Sequence, residues 1–264
     1  MNPSSAARQP THDPGRRRTR RALVGALAAA TVLVVGGGSA PSLGTGSAPA
    51  DAEARAAAPG GMALRFTYDG RGGLREGDRV RNTAGKGRGI VRVAEGGRMA
   101  KVKGKPRRAA RFPRSGFGII EAADRRAWDP RRRDFSYGTK VKVSRAEVVR
   151  HSNLLQKGYY RQPGGQWKLQ LDRGLPSCVV NGDAGRLRVR SATSIADGAW
   201  HRLQCRRTSA GLVLRVDGAV AASGGGATGR VSNAAPVRVG AKKLGPGRVD
   251  QFRGRLDMTF LSIG

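Results

Sequence analysis

Histidine, cysteine and glutamate, which so often carry catalysis or hold metals, are scarce here: three, two and five in 264 residues. Zinc takes three or four ligands, so two cysteines alone make a poor site, and no His/Cys group has zinc spacing. No Gly-x-Ser-x-Gly turn is present, which excludes the nucleophile elbow of an α/β-hydrolase. Gly224, Gly226 and Gly229 match Gly-x-Gly-x-x-Gly, but no helical pattern follows to receive a phosphate, and the segment reads as a loop. Long helical periodicity is missing throughout, and aromatic residues make up only 5% of the chain.

Glycine, proline and positive charge are abundant. Forty glycines and thirteen prolines imply many turns, and 38% apolar content suffices for one sizeable core. With no helical period, that composition favours an all-β protein. The formal charge is +32. Residues 1–50 hold six basic and one acidic side chain, so the excess belongs to the remainder. A field of this size attracts polyanions such as nucleic acid, acidic glycans or an anionic cell envelope. The ordinary alternative is a solvated surface kept soluble by self-repulsion.

Residues 15–40, GRRRTRRALVGALAAATVLVVGGGSA, run from arginines through an apolar stretch to small residues, the order of a secretory signal peptide. The apolar run Ala22 to Val35 covers fourteen residues, short of the roughly 20 that span a bilayer. Cleavage is expected after Ala48-Pro49-Ala50 rather than at Ala40, which Pro41 follows. Thr19-Arg20-Arg21 loosely matches a twin-arginine export signal, and an uncleaved anchor, the one route to a membrane, is the alternative. Residues 1–50 then read as signal peptide, 51–61 as flexible linker and 62–264 as one exported domain. Outside the cytoplasm the two cysteines, Cys178 and Cys205, are expected to form a disulfide.

Within 62–264 short strands alternate with turns. MALRFTYDG (62–70) places Met62, Leu64, Phe66 and Tyr68 on one face, and GIVRVAEGG (89–97) gives a second strand. KVKGKPRRAARFPR (101–114) is the most basic window and reads as a surface bridge broken by Pro106 and Pro113. DFSYGTKVKVS (134–144) alternates again, and SRAEVVRH (144–151) suggests one short helical turn. Strands then follow at close intervals to the C-terminus, the pattern of a β-sandwich or jelly roll.

The stretch DGAWHRLQCRRTSAGLVLRVDG (197–218) sets His201, Leu203 and Cys205 on one strand face and Trp200, Arg202 and Gln204 on the other. The face with Leu203 and Cys205 is the buried one, and His201 reads as a packing element making one hydrogen bond under a loop. Leu212, Leu214 and Val216 complete the same core layer from the next strand. Thr208 to Gly211 and Asp217-Gly218 supply turns.

Here the chain resembles the laminin G-like domains of the concanavalin A-like lectin/glucanase superfamily. Gly198-Ala199-Trp200-His201-Arg202-Leu203 followed by Leu214-Arg215-Val216-Asp217-Gly218 is similar to that family's G-x-W-H-x-hydrophobic … L-x-V-D-G pattern. Asn153 to Gly158 (NLLQKG), Val237-Arg238-Val239-Gly240 and Phe252-Arg253-Gly254-Arg255-Leu256-Asp257 follow in the family's order. The resemblance implies a two-sheet antiparallel jelly roll with adjacent first and last strands, and a module that binds glycans or proteins, in some members through calcium. The superfamily's glucanases carry Glu-x-Asp-x-Glu on one strand, aiming three carboxylates into one cleft. This chain has no such triplet: Glu53, Glu76, Glu95, Glu121 and Glu147 are its glutamates. Asp183, Asp197, Asp217, Asp250 and Asp257 read as turn or strand-end residues.

The expectation is an exported, non-catalytic module for glycans or anionic envelope and extracellular polymers. A divergent glycan-degrading enzyme and a protein–protein adhesion domain are the alternatives, and no physiological nucleic-acid partner is expected. Arg131, Arg132, Arg133, Arg206, Arg207, Lys242 and Lys243 are candidates to pair with sulfate, phosphate or carboxylate. Tyr159, Tyr160 and Trp167 are candidate surfaces for sugar rings, with core packing the ordinary reading of each. No cofactor is expected; calcium stays open, with Asp183 the one candidate ligand.

Overall fold

A computed structural model describes residues 60–264 except Pro246. The signal peptide expected over 1–50 and nearly all of the linker expected over 51–61 lie outside the described residues. Sixteen strands form two eight-stranded antiparallel sheets. The first runs β14 (Ala219–Gly225), β13 (Gly211–Val216), β12 (Asp197–Arg207), β7 (Phe135–Ser144), β16 (Arg255–Ile263), β5 (Arg108–Arg111) and β4 (Ala100–Lys103). Its eighth strand, β1 (Gly61–Phe66), pairs with the C-terminal part of β16, so the first and last strands are neighbours. The second runs β11 (Arg186–Arg190), β10 (Leu175–Asn181), β9 (Gln166–Asp172), β8 (Ser152–Lys157), β15 (Val237–Val239), β6 (Phe117–Ala122), β3 (Arg88–Ala94) and β2 (Arg79–Arg81). The jelly-roll sandwich expected from alternation is thus the fold, and Arg145–Glu147 is the single helical turn expected after β7.

The core lies between the sheets, where inward side chains of both meet. Trp128, Trp167, Tyr137, Phe66, Phe112, Phe135 and Phe252 are its largest fully buried members. Two ties cross it. The Tyr137 hydroxyl on β7 reaches the carbonyls of Lys168 and Val179 at 3.2 and 3.0 Å in the opposite sheet. Cys178 on β10 and Cys205 on β12 form the expected disulfide, with Cα atoms 5.8 Å apart. Closing that loop stabilises the fold by roughly 3–4 kcal/mol on the chain-entropy view.

Two local expectations are corrected. The window 101–114 is not a surface bridge: β4 and β5 pair as a hairpin, and Ala109 and Ala110 are buried beside β16. Arginines flanking two alanines hid β5, an internal strand between β16 and β4 whose core residue, Ala110, is small. Met62 does not share the core face of Leu64 and Phe66, because a register shift between Met62 and Leu64 leaves it 44% exposed.

Candidate functional site

Four connections meet at one rim of the sandwich: residues 123–134 after β6, 158–165 after β8, 182–185 after β10 and 226–236 after β14. Backbone pairing stitches them together. Arg131 and Val231 exchange N–H···O bonds of 2.8 and 3.0 Å, and Ser232 N–H donates to Gly164 O at 2.8 Å. Asp183 joins a third loop, its Oδ1 accepting from Arg230 N–H at 2.7 Å and its Oδ2 facing Arg132 Nη2 at 3.3 Å. Gly229, at φ +73°, makes this approach feasible: a Cβ there would collide with the Asp183 carboxylate.

Two adjoining clefts open on this rim. One, of about 800 Å³, is lined by Arg126, Ala127, Arg131, Arg132, Arg133 and Arg230. The other, of about 430 Å³, shares Arg230 and presents Gln162, Asn181, Asp183, Ser232 and glycine backbone. Both volumes fall in the range of small-molecule sites. Among the described residues Arg126, Arg131, Arg133 and Arg230 form no salt bridge, while Arg132 has its contact to Asp183. Tyr160 stands beside the smaller cleft, 54% exposed, with its carbonyl accepting from Asn181 Nδ2 at 3.1 Å. The Arg186 guanidinium lies 4.6 Å from the Tyr160 ring centroid and steadies it by cation–π attraction. Arg126, Arg186 and Arg230 belong to no motif in the sequence, and only the folding of the loops brings them to the rim.

The loops rest on a buried charge. Lys157 ends β8, and its ladder neighbours Trp167 and Val237 are core residues, so the lysine side chain starts on the core face. Its Nζ, fully buried, donates to Asp129 Oδ1 at 2.8 Å, to Asn233 Oδ1 at 3.3 Å and to Asn233 O, and forms an ion pair with Asp124 Oδ1 at 2.8 Å. Asp129 in turn accepts from Ser232 Oγ at 3.1 Å and Asn233 N–H at 3.4 Å, while Asn233 Nδ2 donates to Gly165 O at 2.9 Å. One ammonium thereby anchors three of the four rim loops. The signal for it was present: a lysine at an inward position of a strand.

The other candidate residues divide. Arg207 is not a ligand contact: it is 2% exposed, stacks 4.8 Å from the Phe135 ring centroid, and donates to the carbonyls of Arg131 and Arg132 at 2.8 and 3.2 Å. It props up the arginine loop from behind. Arg206 sits within the first sheet between Ser136 and Val213 and lines neither cleft. Tyr159, Lys242 and Lys243 lie away from the clefts' linings. The Tyr159 hydroxyl donates to Lys242 O at 3.0 Å and meets Arg238, and Lys242 Nζ pairs with Asp250 at 3.3 Å. Trp167 is fully buried and offers no sugar platform.

His201 is held more firmly than one hydrogen bond. Its Nδ1 meets Asp217 Oδ2 at 2.7 Å and its Nε2 meets Asp197 Oδ1 at 3.1 Å, with Asp217 Oδ1 also accepting from Arg202 N–H at 2.7 Å. Burial alone would depress the histidine, but hydrogen bonds to both carboxylates, and their charge, carry it above its ordinary value. The Trp-His and Asp-Gly motifs therefore close a corner between β12 and β13.

Asp183, the candidate calcium ligand, is already engaged. Both Asp183 oxygens are taken by Arg230 and Arg132, and among the described residues no three His, Cys, Asp or Glu side chains gather to hold a metal. An oxygen-rich cage of Asp124, Asp129 and Asn233 encloses the Lys157 ammonium.

A two-sheet sandwich with loop-built clefts at its rim is a concanavalin A-like jelly roll in fold. Residues 151–257 match the family model of the Laminin G domain. Domain 4 of AbnA, a GH43 extracellular arabinanase from Geobacillus stearothermophilus solved with arabinotriose, is 18% identical with a TM-score of 0.58. The match covers 78% of this chain and 93% of that one. The binding domain of Paraclostridial Mosquitocidal Protein 1 is 15% identical with a TM-score of 0.57, covering 76% of this chain and 48% of that one. The binding domain of Botulinum Neurotoxin DC in complex with SialylT is 8% identical with a TM-score of 0.54, covering 76% and 47%. The chain spans about half the length of these two toxin domains. At such identities the likeness is one of fold. No curated protein sequence matches the chain significantly.

Proposed function

We propose that the protein is an exported, non-catalytic module that binds acidic glycans or acidic envelope polymers at the rim clefts. The observation that carries this reading is the adjacency of two unlike surfaces. Arg126, Arg131, Arg133 and Arg230 present guanidinium groups without salt-bridge partners among the described residues. Beside them Gln162, Asn181 and the exposed ring of Tyr160 offer planar polar groups and a flat apolar face. Arginine forks match the oxygens of carboxylate, sulfate or phosphate in pairs. Amides and an aromatic face suit the hydroxyls and the apolar side of a sugar ring. The neighbours support a glycan reading: two of them were solved with a saccharide or with SialylT, and all three are named as a binding domain or as a domain of a glycan-degrading enzyme.

The test is affinity for an acidic polysaccharide and for its carboxyl-reduced or desulfated form, across a salt series. Binding to the acidic form is expected to weaken steeply with salt. Arg131→Ser, Arg132→Ser and Arg133→Ser together are expected to lower affinity at least about tenfold, the effect of losing roughly 1.4 kcal/mol. Tyr160→Ala should weaken acidic and neutral forms alike. Binding indifferent to both salt and the triple substitution would overturn the reading, and new reducing ends in the incubated polysaccharide would replace it with a catalytic one.

A further inference from the structure

The cage around Lys157 has the composition of a cation site and already contains a cation. Four oxygens converge on its Nζ: one from each of the Asp124 and Asp129 carboxylates, the Asn233 side-chain oxygen and the Asn233 carbonyl. Hard divalent cations are bound by this mixture of carboxylate and carbonyl oxygen, calcium at 2.3–2.6 Å. The two carboxylate contacts here are 2.8 Å, the length of charge-assisted N–H···O bonds. The lysine stem enters from the core, between Trp167 and Val237, so its head reaches the oxygens from inside while the loops close over it. The Lys157 side chain is fully buried and Asp129 nearly so, while Asp124 closes the cage from its part-exposed side.

We propose that the Lys157 ammonium is the resident cation of this rim. It does covalently what a bound divalent ion would do in the same oxygen cage, ordering the loops that carry Arg131–Arg133, Gln162–Gly165 and Ser232 without any metal. The charge balance makes the claim specific. Two carboxylates and one ammonium leave the cage at −1, whereas removing the ammonium leaves −2 around an oxygen-lined space. A lysine-free cage becomes a divalent-cation site. Lys157 is a positioning residue in this scheme: it touches the loops and not the ligand. The inference rests on the cage alone and holds whatever the clefts bind.

The experiment is thermal unfolding of the full chain, as wild type, Lys157→Ala and Lys157→Gln, in EDTA, in calcium at about 5 mM, above the affinities of weak extracellular modules, and with terbium as a luminescent probe. The wild-type midpoint is expected to be the same in EDTA and calcium, with no terbium signal that calcium displaces. Both variants are expected to melt several degrees lower in EDTA, to regain much of that loss in calcium, and to give a terbium signal at one ion per chain. Adding Asp129→Asn to Lys157→Ala should abolish the calcium response, which a merely structural lysine would not predict. The proposal is overturned if calcium raises the wild-type midpoint, or if EDTA lowers it. It is equally overturned if the variants fold and no divalent cation stabilises them. Failure of both variants to fold even in calcium also counts against it, since the stem and not the charge would then be what matters.

Discussion

Two cationic side chains in this molecule each sit between two carboxylates, and their surroundings make them different devices. Lys157 lies between Asp124 and Asp129 under the rim, fully buried, with a carbonyl and an amide completing its shell. His201 lies between Asp197 and Asp217 at the β12–β13 corner, its side chain 17% exposed and the two aspartates half open to water. Water screens both carboxylates of the second cluster but reaches only Asp124 in the first, where Lys157 and Asp129 are buried, so similar pairings carry unequal energy. The residues most recognisable in the sequence, Trp200-His201 and Asp217-Gly218, belong to the weaker cluster and hold a corner. The rim that bears the cleft arginines is held by Lys157, the inward lysine of the NLLQKG segment.

The sharpest break of this comparison is to remove each cation in turn. Lys157→Met leaves the buried Asp129 and the part-exposed Asp124 without a counter-charge, and about 3–5 kcal/mol of stability is expected to go. His201→Asn is expected to cost less than about 1 kcal/mol, the range of solvent-screened pairs. Urea unfolding of the two variants measures the ratio. Equal losses would mean that burial does not separate the clusters.

A smaller effect sharpens the contrast through pH. The folded state carries His201 above its ordinary value and Asp197 below the usual carboxylate range, the latter mainly through the Ala199 N–H and then His201. A raised histidine contributes its full stabilisation below its unfolded value, near 6.5, and loses it as pH rises through the folded value. The depressed Asp197 contributes above its unfolded value and loses that contribution as pH falls through the folded one. The stability gap between wild type and His201→Asn is therefore expected to be widest in mildly acidic buffer and to close in alkaline buffer. Urea melts at both ends of that range read it directly, and a gap that widens with pH would reverse the assignment.

Alternation of apolar residues made the sandwich readable before any coordinates, as did the cysteine pair and the order of short motifs from Asn153 onward. What stayed hidden follows from the same logic. Arg108–Arg111 escaped notice because its inward residues are alanines, which carry little apolar signal between arginines. Arg207 looked like its neighbour Arg206, yet period-two geometry turns it inward onto Phe135 and the arginine loop. Arg131–Arg133 and Tyr160 were readable as candidates, but their adjacency is a property of four loops distant in sequence. Arg126, Arg186 and Arg230 enter only through that folding. Lys157 lies within NLLQKG, and its inward direction shows only when β8 is set against Trp167 and Val237 on its neighbouring strands.

The most direct test of the account is backbone hydrogen–deuterium exchange on the full chain in EDTA, with and without a saturating acidic oligosaccharide. Protection is expected in 126–133, 160–165, 181–186 and 228–233, with the 197–218 corner unchanged. Protection centred on 197–218, with the rim loops indifferent to the ligand, would contradict it.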